Sequence, residues 1–226
     1  MKLKVLYEDN HLIAVFKPAG ILVQADKSDS SCLMDEVKLY LKEKYEKPGK
    51  VFLGLLHRLD RNVCGIVLFA KTGKGASRLS AQFRERTIEK KYMAWVSGRM
   101  IEDQATLIHY LLKNKKNNFV EIVKENTAGA MRAELSFKVL KTQDDYSLLE
   151  IKLATGRPHQ IRVQLSAMGH PIVGDVKYGS KKLLPNNLIA LCAVELEFNL
   201  AAKDERKKIQ IEFPYQDLSE ISKKAS

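Results

Sequence analysis

The segment His57–Gly65, with the sequence HRLDRNVCG, constrains this chain most, because a charged turn runs directly into the apolar run Ile66–Ala70. A short apolar run bounded by turn residues is typical of a buried strand. The sequence therefore predicts that Asp60 lies in a turn at the start of a strand. Arg58 and Arg61 flank this carboxylate, and a neighbouring guanidinium favours its charged form, which suits a nucleophile or a base.

Taken alone, the same segment is more often an exposed turn in which the aspartate pairs with a neighbouring arginine. The rest of the chain therefore decides between the two interpretations. Of the 226 residues, 45% are hydrophobic and 29% are charged, which predicts a globular protein with a real core. Lys and Arg number 38 against 27 Asp and Glu, a net charge of +11. This excess indicates a polyanionic partner such as nucleic acid, although an acidic membrane surface or simple solubility would give the same balance.

Several classes of protein are disfavoured by the composition. Cys32, Cys64 and Cys192 lack paired spacing, so neither a disulfide framework nor a zinc site is indicated, and a reducing cytoplasmic location is expected. The five histidines show no pair spaced for a metal. No apolar stretch approaches the roughly 20 residues that span a bilayer. We expect no metal and no membrane partner.

Hydrophobic periodicity predicts short strands alternating with amphipathic helices. The predicted helices cover residues 32–44, with Ser30 or Ser31 as N-cap, 75–86, and 159–168, with Pro158 in its first turn. The predicted strands cover residues 5–7, 12–16, 66–70, 88–96, 135–139, 149–153, 189–198 and 209–213. A basic loop at Lys113–Asn118 is either an RNA contact or the solvated end of a hairpin. Since no repeat or linker marks a boundary, one α+β domain over residues 1–226 is predicted.

A second group of candidate residues lies in Thr155–Leu165, at the start of the last predicted helix. Backbone N–H groups at a helix start attract anions, so Arg157 and His159 are suited to hold phosphate. Arg162, one turn later, could reach a buried carboxylate. An ordinary capped helix with solvated arginines is the alternative.

A third segment places Tyr92 among lysines on a predicted strand, as base-stacking surfaces do, although aromatic residues on strands are usually core. The sequence motifs of other enzyme classes are incomplete in this chain. Gly73-Lys74-Gly75 lacks the upstream glycine of a phosphate-binding loop, and no serine lies in a G-x-S-x-G motif. Asp60 is therefore the leading candidate for chemistry.

Three segments, in this order, resemble the RluA family of pseudouridine synthases: HRLDRNVCGIVLFAKT, EKKYMAWVSG and ATGRPHQIRVQLSAMGHPIVGDVKYG. Lys17–Gly20 is similar to the first motif of that family, so the likeness runs from about residue 5 to residue 213. Val63 and Cys64 stand where the family usually has Thr and Ser, which replaces two hydroxyls by an apolar side chain and a thiol. The aspartate of the motif is kept.

The resemblance implies an α+β fold with a long, mixed, mostly antiparallel sheet flanked by helices around a central cleft. It also implies isomerisation of uridine to pseudouridine in RNA without a cofactor. No N-terminal S4-type RNA-binding module is expected, so a short stem-loop in tRNA or large-subunit (23S-type) rRNA is the predicted substrate, modified by a monomer. A carboxylate could act by capturing C1′ of the ribose or by passing through a glycal, and both routes stay open.

The resemblance also implies roles for individual residues. Asp60 would be the nucleophile, Arg162 its ion-pair partner, and Tyr92 the ring stacked on the target base. Leu165 would line the pocket, and Arg58 would enter the RNA in place of the flipped-out uridine. The candidates for phosphate contacts are Lys17, Lys71, Arg157 and His159, each of which could instead be a solvated surface charge. Asp175 and Tyr178, in a glycine-bounded turn, are expected to be structural.

Two rival functions follow from the same residues. A non-catalytic RNA-binding or ribosome-assembly factor could keep the fold, with Val63 and Cys64 as signs of lost turnover. A different aspartate-dependent enzyme, such as a nucleoside or glycoside hydrolase, would usually need a second carboxylate, and the motif around Asp60 contains none.

Overall fold

The structure, a computed structural model, describes residues 3–25, 32–202 and 204–216. The predicted N-caps Ser30 and Ser31 lie outside the described residues. The helices are α1 (Leu33–Lys44), α2 (Gly73–Glu85) and α3 (Gln160–Ala167). The strands are β1 (Lys4–Glu8), β2 (Leu12–Lys17), β3 (Gly54–Leu55), β4 (Cys64–Ala70), β5 (Glu89–Ser97), β6 (Gln104–Asn114), β7 (Phe119–Val123), β8 (Met131–Gln143), β9 (Tyr146–Leu153), β10 (Leu191–Asn199) and β11 (Arg206–Gln210). This confirms the predicted α+β class with its mostly antiparallel strands.

The chain forms two compact units, Met1–Glu89 with Ala193–Ile211, and Lys90–Cys192 with Glu212–Ser226. The chain passes from one unit to the other inside β5, inside β10 and just after β11. Strand residues carry no linker signal, which explains why the composition marks no boundary. The assignment of a single domain remains a prediction.

In the first unit the strands follow the order β1-β2-β4-β10, with β3 on β4 and β11 on β10. Strands β1 and β4 pair antiparallel with β2, and Lys17 at the end of β2 lies opposite Gly65 at the start of β4. Every residue of β4 is buried, as its continuous apolar run predicts. Helix α2 contributes Leu79 to a core formed with Leu68 and Phe198.

In the second unit the antiparallel order is β5-β9-β8-β6-β7. Helix α3 packs Val163 into a cluster with Leu111 and Val120 of the β6–β7 hairpin. The tip of this hairpin carries the basic loop expected at residues 113–118, but most of β6 itself was not predicted. Only one residue of β6 is fully buried, so its hydrophobic period is weak.

None of the helices in the described ranges is long and apolar enough to cross a bilayer. The three cysteines are buried and form no disulfide bond.

Candidate functional site

Asp60 lies in a reverse turn at the entry to β4, which confirms the predicted placement. The N–H of Val63 donates to the carbonyl of Asp60 over 3.1 Å and closes the turn. Asp60 is half-buried, whereas Arg58 and Arg61 are exposed. We call His57–Gly65 the Asp60 turn. The aspartate is therefore partly withdrawn from solvent, whereas the arginines on either side of it are not.

The loop Lys17–Gly20 is bonded to the Asp60 turn through backbone groups. The N–H of Gly20 donates to the carbonyl of Arg61 over 2.8 Å, and Nε of Arg61 donates back to the carbonyl of Gly20 over 2.9 Å. The Nζ of Lys17 donates to the carbonyl oxygens of Pro18 at 3.0 Å, Ile21 at 2.9 Å and Arg61 at 3.0 Å. These hydrogen bonds hold the loop Lys17–Gly20 against the Asp60 turn.

The predicted phosphate contact by Lys17 is wrong. Its side chain is 0% exposed, and an ammonium has three donors, each of which has a backbone carbonyl here. A buried ammonium engaged in this way cannot contact RNA at the surface. Lys17 instead holds the loop against the turn.

Gly65 ends the Asp60 turn at a position that admits no side chain. Its φ is +132°, a backbone region that L-residues rarely adopt. An ideal Cβ there would lie 2.4 Å from the backbone oxygen and 2.5 Å from the backbone nitrogen of Ala193. The glycine therefore permits a close approach of β4 and β10 directly after the aspartate.

His57 fixes the other end of the turn. Its Nε2 accepts a hydrogen bond from the N–H of Leu68 over 3.0 Å, so this nitrogen carries no proton and the ring is neutral in this arrangement. The ring stacks on Phe83 of α2 with centroids 5.0 Å apart. The Asp60 turn is thus anchored at both ends by buried or half-buried groups.

In the second unit, Arg162 of α3 is bound by a buried carboxylate, as expected for a helical arginine among apolar neighbours. Its Nε donates to Oδ2 of Asp175 over 2.7 Å and its Nη2 donates to Oδ1 over 2.8 Å. Arg162 is 6% exposed and Asp175 is 1% exposed. This bidentate pair fixes the plane of the guanidinium. The pairing of Arg162 with Asp60 remains a prediction.

Tyr178 completes what we call the Arg162 cluster, formed by His159, Arg162, Asp175 and Tyr178. The guanidinium carbon of Arg162 lies 4.9 Å from the centre of the Tyr178 ring. The phenol oxygen accepts from the N–H of Val120 over 3.0 Å and lies 2.7 Å from Nδ1 of His159. Tyr178 therefore joins the helix start, the arginine and the β6–β7 hairpin.

The start of α3 differs from the prediction. The helix begins at Gln160, because His159 adopts a left-handed φ of +51° and Pro158 precedes the helix. The side chain of Gln160 accepts from the N–H of Arg157 over 3.0 Å and from the hydroxyl of Thr155 over 2.7 Å. Arg157 and His159 are half-buried at this corner, and their contacts to RNA remain predictions.

The phosphate contact predicted for Lys71 remains a prediction, and its ammonium already has partners within the chain. Its side chain is 8% exposed and donates to Oε1 of Glu8 over 2.6 Å and to the carbonyl of Asp9 over 2.8 Å. Partial burial tends to raise the pKa of Glu8, but hydrogen bonds from Lys44, Lys71, Tyr45 and Tyr40 outweigh it and lower the pKa to about 2. Lys71 is thus the counter-charge of a structural carboxylate.

The remaining predicted residues are both buried. Tyr92 lies on β5 opposite Ile151 of β9 and is 9% exposed. Leu165 is fully buried in α3. Their roles in stacking on a base and in lining its pocket remain predictions.

Sequence reasoning assigned Asp175 and Tyr178 to turn geometry and did not connect them to Arg162. The available signal was the helix itself, in which an arginine stands between Ile161 and Val163. A cation on an apolar helix face requires a buried carboxylate nearby. Within the described ranges, no group of three His, Cys, Asp or Glu side chains is placed to hold a metal ion.

Comparison with known proteins identifies the family. The family model described as RNA pseudouridylate synthase matches residues 11–167, which include the Asp60 turn and all of α3. The chain belongs to this family. Two solved structures of human RNA Pseudouridylate Synthase Domain Containing proteins, numbers 4 and 1, share its fold at 23% identity each. Their TM-scores are 0.78 and 0.71, over 93% and 99% of this chain and 88% and 94% of theirs.

Curated relatives of this pseudouridylate synthase chain are more similar in sequence. The ribosomal large subunit pseudouridine synthase C of Vibrio parahaemolyticus is 33% identical over 91% of this chain and 64% of its own length. The enzyme of the same name from Vibrio cholerae is 34% identical over 79% of this chain and 53% of its own length. The uncharacterized RNA pseudouridine synthase YlyB of Bacillus subtilis is 31% identical over 98% of this chain and 72% of its own length. The chain thus spans about half to two thirds of the large-subunit enzymes.

Proposed function

We propose that this chain isomerises uridine to pseudouridine in RNA, with Asp60 as the nucleophile. The observation that carries the proposal is the Asp60 turn, which lies within the family-matched region and is anchored at both ends. A half-buried carboxylate held in a fixed turn is suited to attack because little motion is needed to position it.

The reaction requires only a carboxylate and a bound nucleotide. The N1–C1′ bond breaks, the base rotates, and a C5–C1′ bond forms, while C5 loses a proton to solvent and N1 gains one. The carboxylate of Asp60 would either capture C1′ or remove a ribose proton to form a glycal. In both routes it must be ionised when the N1–C1′ bond breaks.

The target base must leave its stack to reach the aspartate, at a cost of a few kcal/mol. Stacking on Tyr92 and insertion of Arg58 would offset this cost, and Leu165 would line the pocket. Arg58 is exposed, as this role requires. Arg157 and His159 would bind phosphates, and the net charge of +11 would favour RNA in general.

We infer that large-subunit rRNA is the substrate, because relatives that match most of this chain are named for the large ribosomal subunit. The test is release of tritium from 5-tritiated uridine in transcripts of large-subunit rRNA and of tRNA. We expect release from the rRNA transcript. Release from the tRNA transcript alone would show that tRNA, and not large-subunit rRNA, is the substrate. Tight binding of both transcripts without release would favour the non-catalytic binder. The cytoplasmic location and the monomeric state remain predictions.

A further inference from the structure

We propose that Asp175 and Tyr178 are positioning residues that fix the guanidinium of Arg162 for the reaction. The proposal rests on the proposed function and on the prediction that Arg162 is the ion-pair partner of Asp60 in that reaction. It concerns two residues that would not touch the RNA and would act only through the arginine. Asp175 holds the edge of the guanidinium, and Tyr178 covers its face.

The edge contact is rigid because Asp175 is itself fixed. Its N–H donates to the carbonyl of Ile172 over 2.9 Å, and its own carbonyl accepts from the N–H of Tyr178 at 3.0 Å and of Ser180 at 3.1 Å. The carboxylate thus projects from a closed backbone turn. The guanidinium donates two parallel hydrogen bonds to this fixed carboxylate, which together hold its plane in one orientation.

The face contact is fixed by the partners of Tyr178. Its hydroxyl has two polar partners, Val120 and His159, and its ring stacks on Phe119 with centroids 5.0 Å apart. Its carbonyl also accepts from the hydroxyl of Ser166 over 2.6 Å. A ring held at both its hydroxyl and its backbone cannot tilt away from the arginine.

Stability alone does not account for this arrangement. Burying an arginine and an aspartate costs much of the free energy that their attraction returns, and apolar residues of similar volume often stabilise a core as well or better. Orientation of a cation is what the ion pair provides and an apolar pair does not. We therefore infer that the Arg162 cluster serves to orient the guanidinium of Arg162 for the reaction.

The experiment compares Asp175→Asn and Tyr178→Phe with the wild-type chain, each measured well below its unfolding temperature. We expect the single-turnover rate of pseudouridine formation in large-subunit rRNA transcripts to fall at least thirtyfold for Asp175→Asn and about threefold for Tyr178→Phe. RNA affinity should stay within twofold for both. Asp144→Asn and Tyr146→Phe, the same substitutions in the β8–β9 hairpin, are the controls and should leave the rate unchanged.

A second readout separates positioning from a merely structural role. The Nε–H resonance of Arg162 in the NMR spectrum should exchange slowly in the wild-type chain, faster in Tyr178→Phe and fastest in Asp175→Asn. Lower unfolding temperatures with unchanged rates and unchanged exchange would overturn the proposal. Tyr178→Phe removes one oxygen and nearly keeps the side-chain volume. If Asp175→Asn does not fold, the rate and exchange measured for Tyr178→Phe are sufficient to test the proposal. If the wild-type chain forms no pseudouridine, the proposed function fails, whereas the exchange measurement still tests the positioning of Arg162.

Discussion

The Asp60 turn and the Arg162 cluster are held by different kinds of interaction. The Asp60 turn is held through the backbone, by the carbonyls that bind Lys17 and by a glycine that admits no Cβ. The Arg162 cluster is held by side chains, through an ion pair with Asp175 and a ring contact with Tyr178. The first region therefore depends on space and backbone conformation, and the second depends on charge.

This difference predicts opposite sensitivities. Added volume should disrupt the Asp60 turn, whereas loss of charge should disrupt the Arg162 cluster. The first two substitutions below each test one side of this comparison, and the third tests a charged group outside both regions. Each has a control of the same chemical type elsewhere in the chain.

Gly65→Ala should give the largest loss of stability. The new Cβ would meet backbone atoms of Ala193, and φ would stay in a region unfavourable for alanine. Strain and overpacking together predict a loss on the order of 5 kcal/mol in the free energy of unfolding. Urea denaturation measures it. Gly73→Ala is the control, because no atom lies within 4 Å of a Cβ added there. Equal stability of the two variants would contradict the close approach of the strands.

Arg162→Met should cost about 4 kcal/mol, because it leaves Asp175 buried without its counter-charge. The proposed pseudouridine formation should be lost as well. Arg84→Met on the exposed face of α2 is the control and should change the free energy of unfolding by less than about 0.5 kcal/mol. A stable Arg162→Met variant would show that charge does not hold the Arg162 cluster.

The smallest effect is expected from acid titration of Glu8, which tests whether charge also matters in the first unit. Its pKa lies at about 2 in the folded chain against an ordinary value of 4.5. A carboxyl with a lowered pKa stabilises the folded state fully above pH 4.5, and this contribution is lost as the pH falls towards 2.

The measurement compares unfolding temperatures of the wild-type chain and Glu8→Gln between pH 6 and pH 2. The difference in unfolding temperature between the wild-type chain and Glu8→Gln should be constant near pH 6 and should disappear near pH 2. Glu43→Gln, on the exposed side of α1, should run parallel to the wild-type chain throughout. A wild-type advantage that persists at pH 2 would contradict the lowered pKa.

The same contrast explains what could be predicted from the sequence. The strand at Cys64–Ala70 and the turn before it are contiguous, so a local pattern was sufficient to predict them. Helices α1 and α2 were predicted for the same reason, since their buried positions recur at helical spacing. Strand β6 lacks such a pattern because only one of its residues is fully buried and the apolar side chain of Ile108 is exposed.

The partners of the charged side chains could not be predicted from local pattern. Asp175 follows Arg162 by 13 residues, and Lys17 reaches the carbonyl of Arg61 across 44. Lys17 and Lys71 were predicted to contact RNA phosphates, with a solvated surface charge as the alternative. Their burial depends on carbonyl and carboxylate partners that only the folded chain brings together.

The most direct test of the central claim is a single-turnover measurement of tritium release with Asp60→Asn. Its matched control is Asp144→Asn, an exposed aspartate at φ +51°, where asparagine is tolerated. We predict that Asp144→Asn releases tritium from large-subunit rRNA transcripts at the wild-type rate. Asp60→Asn should bind the same transcripts within about twofold and release none. Appreciable release by Asp60→Asn would contradict the assignment of Asp60 as the nucleophile.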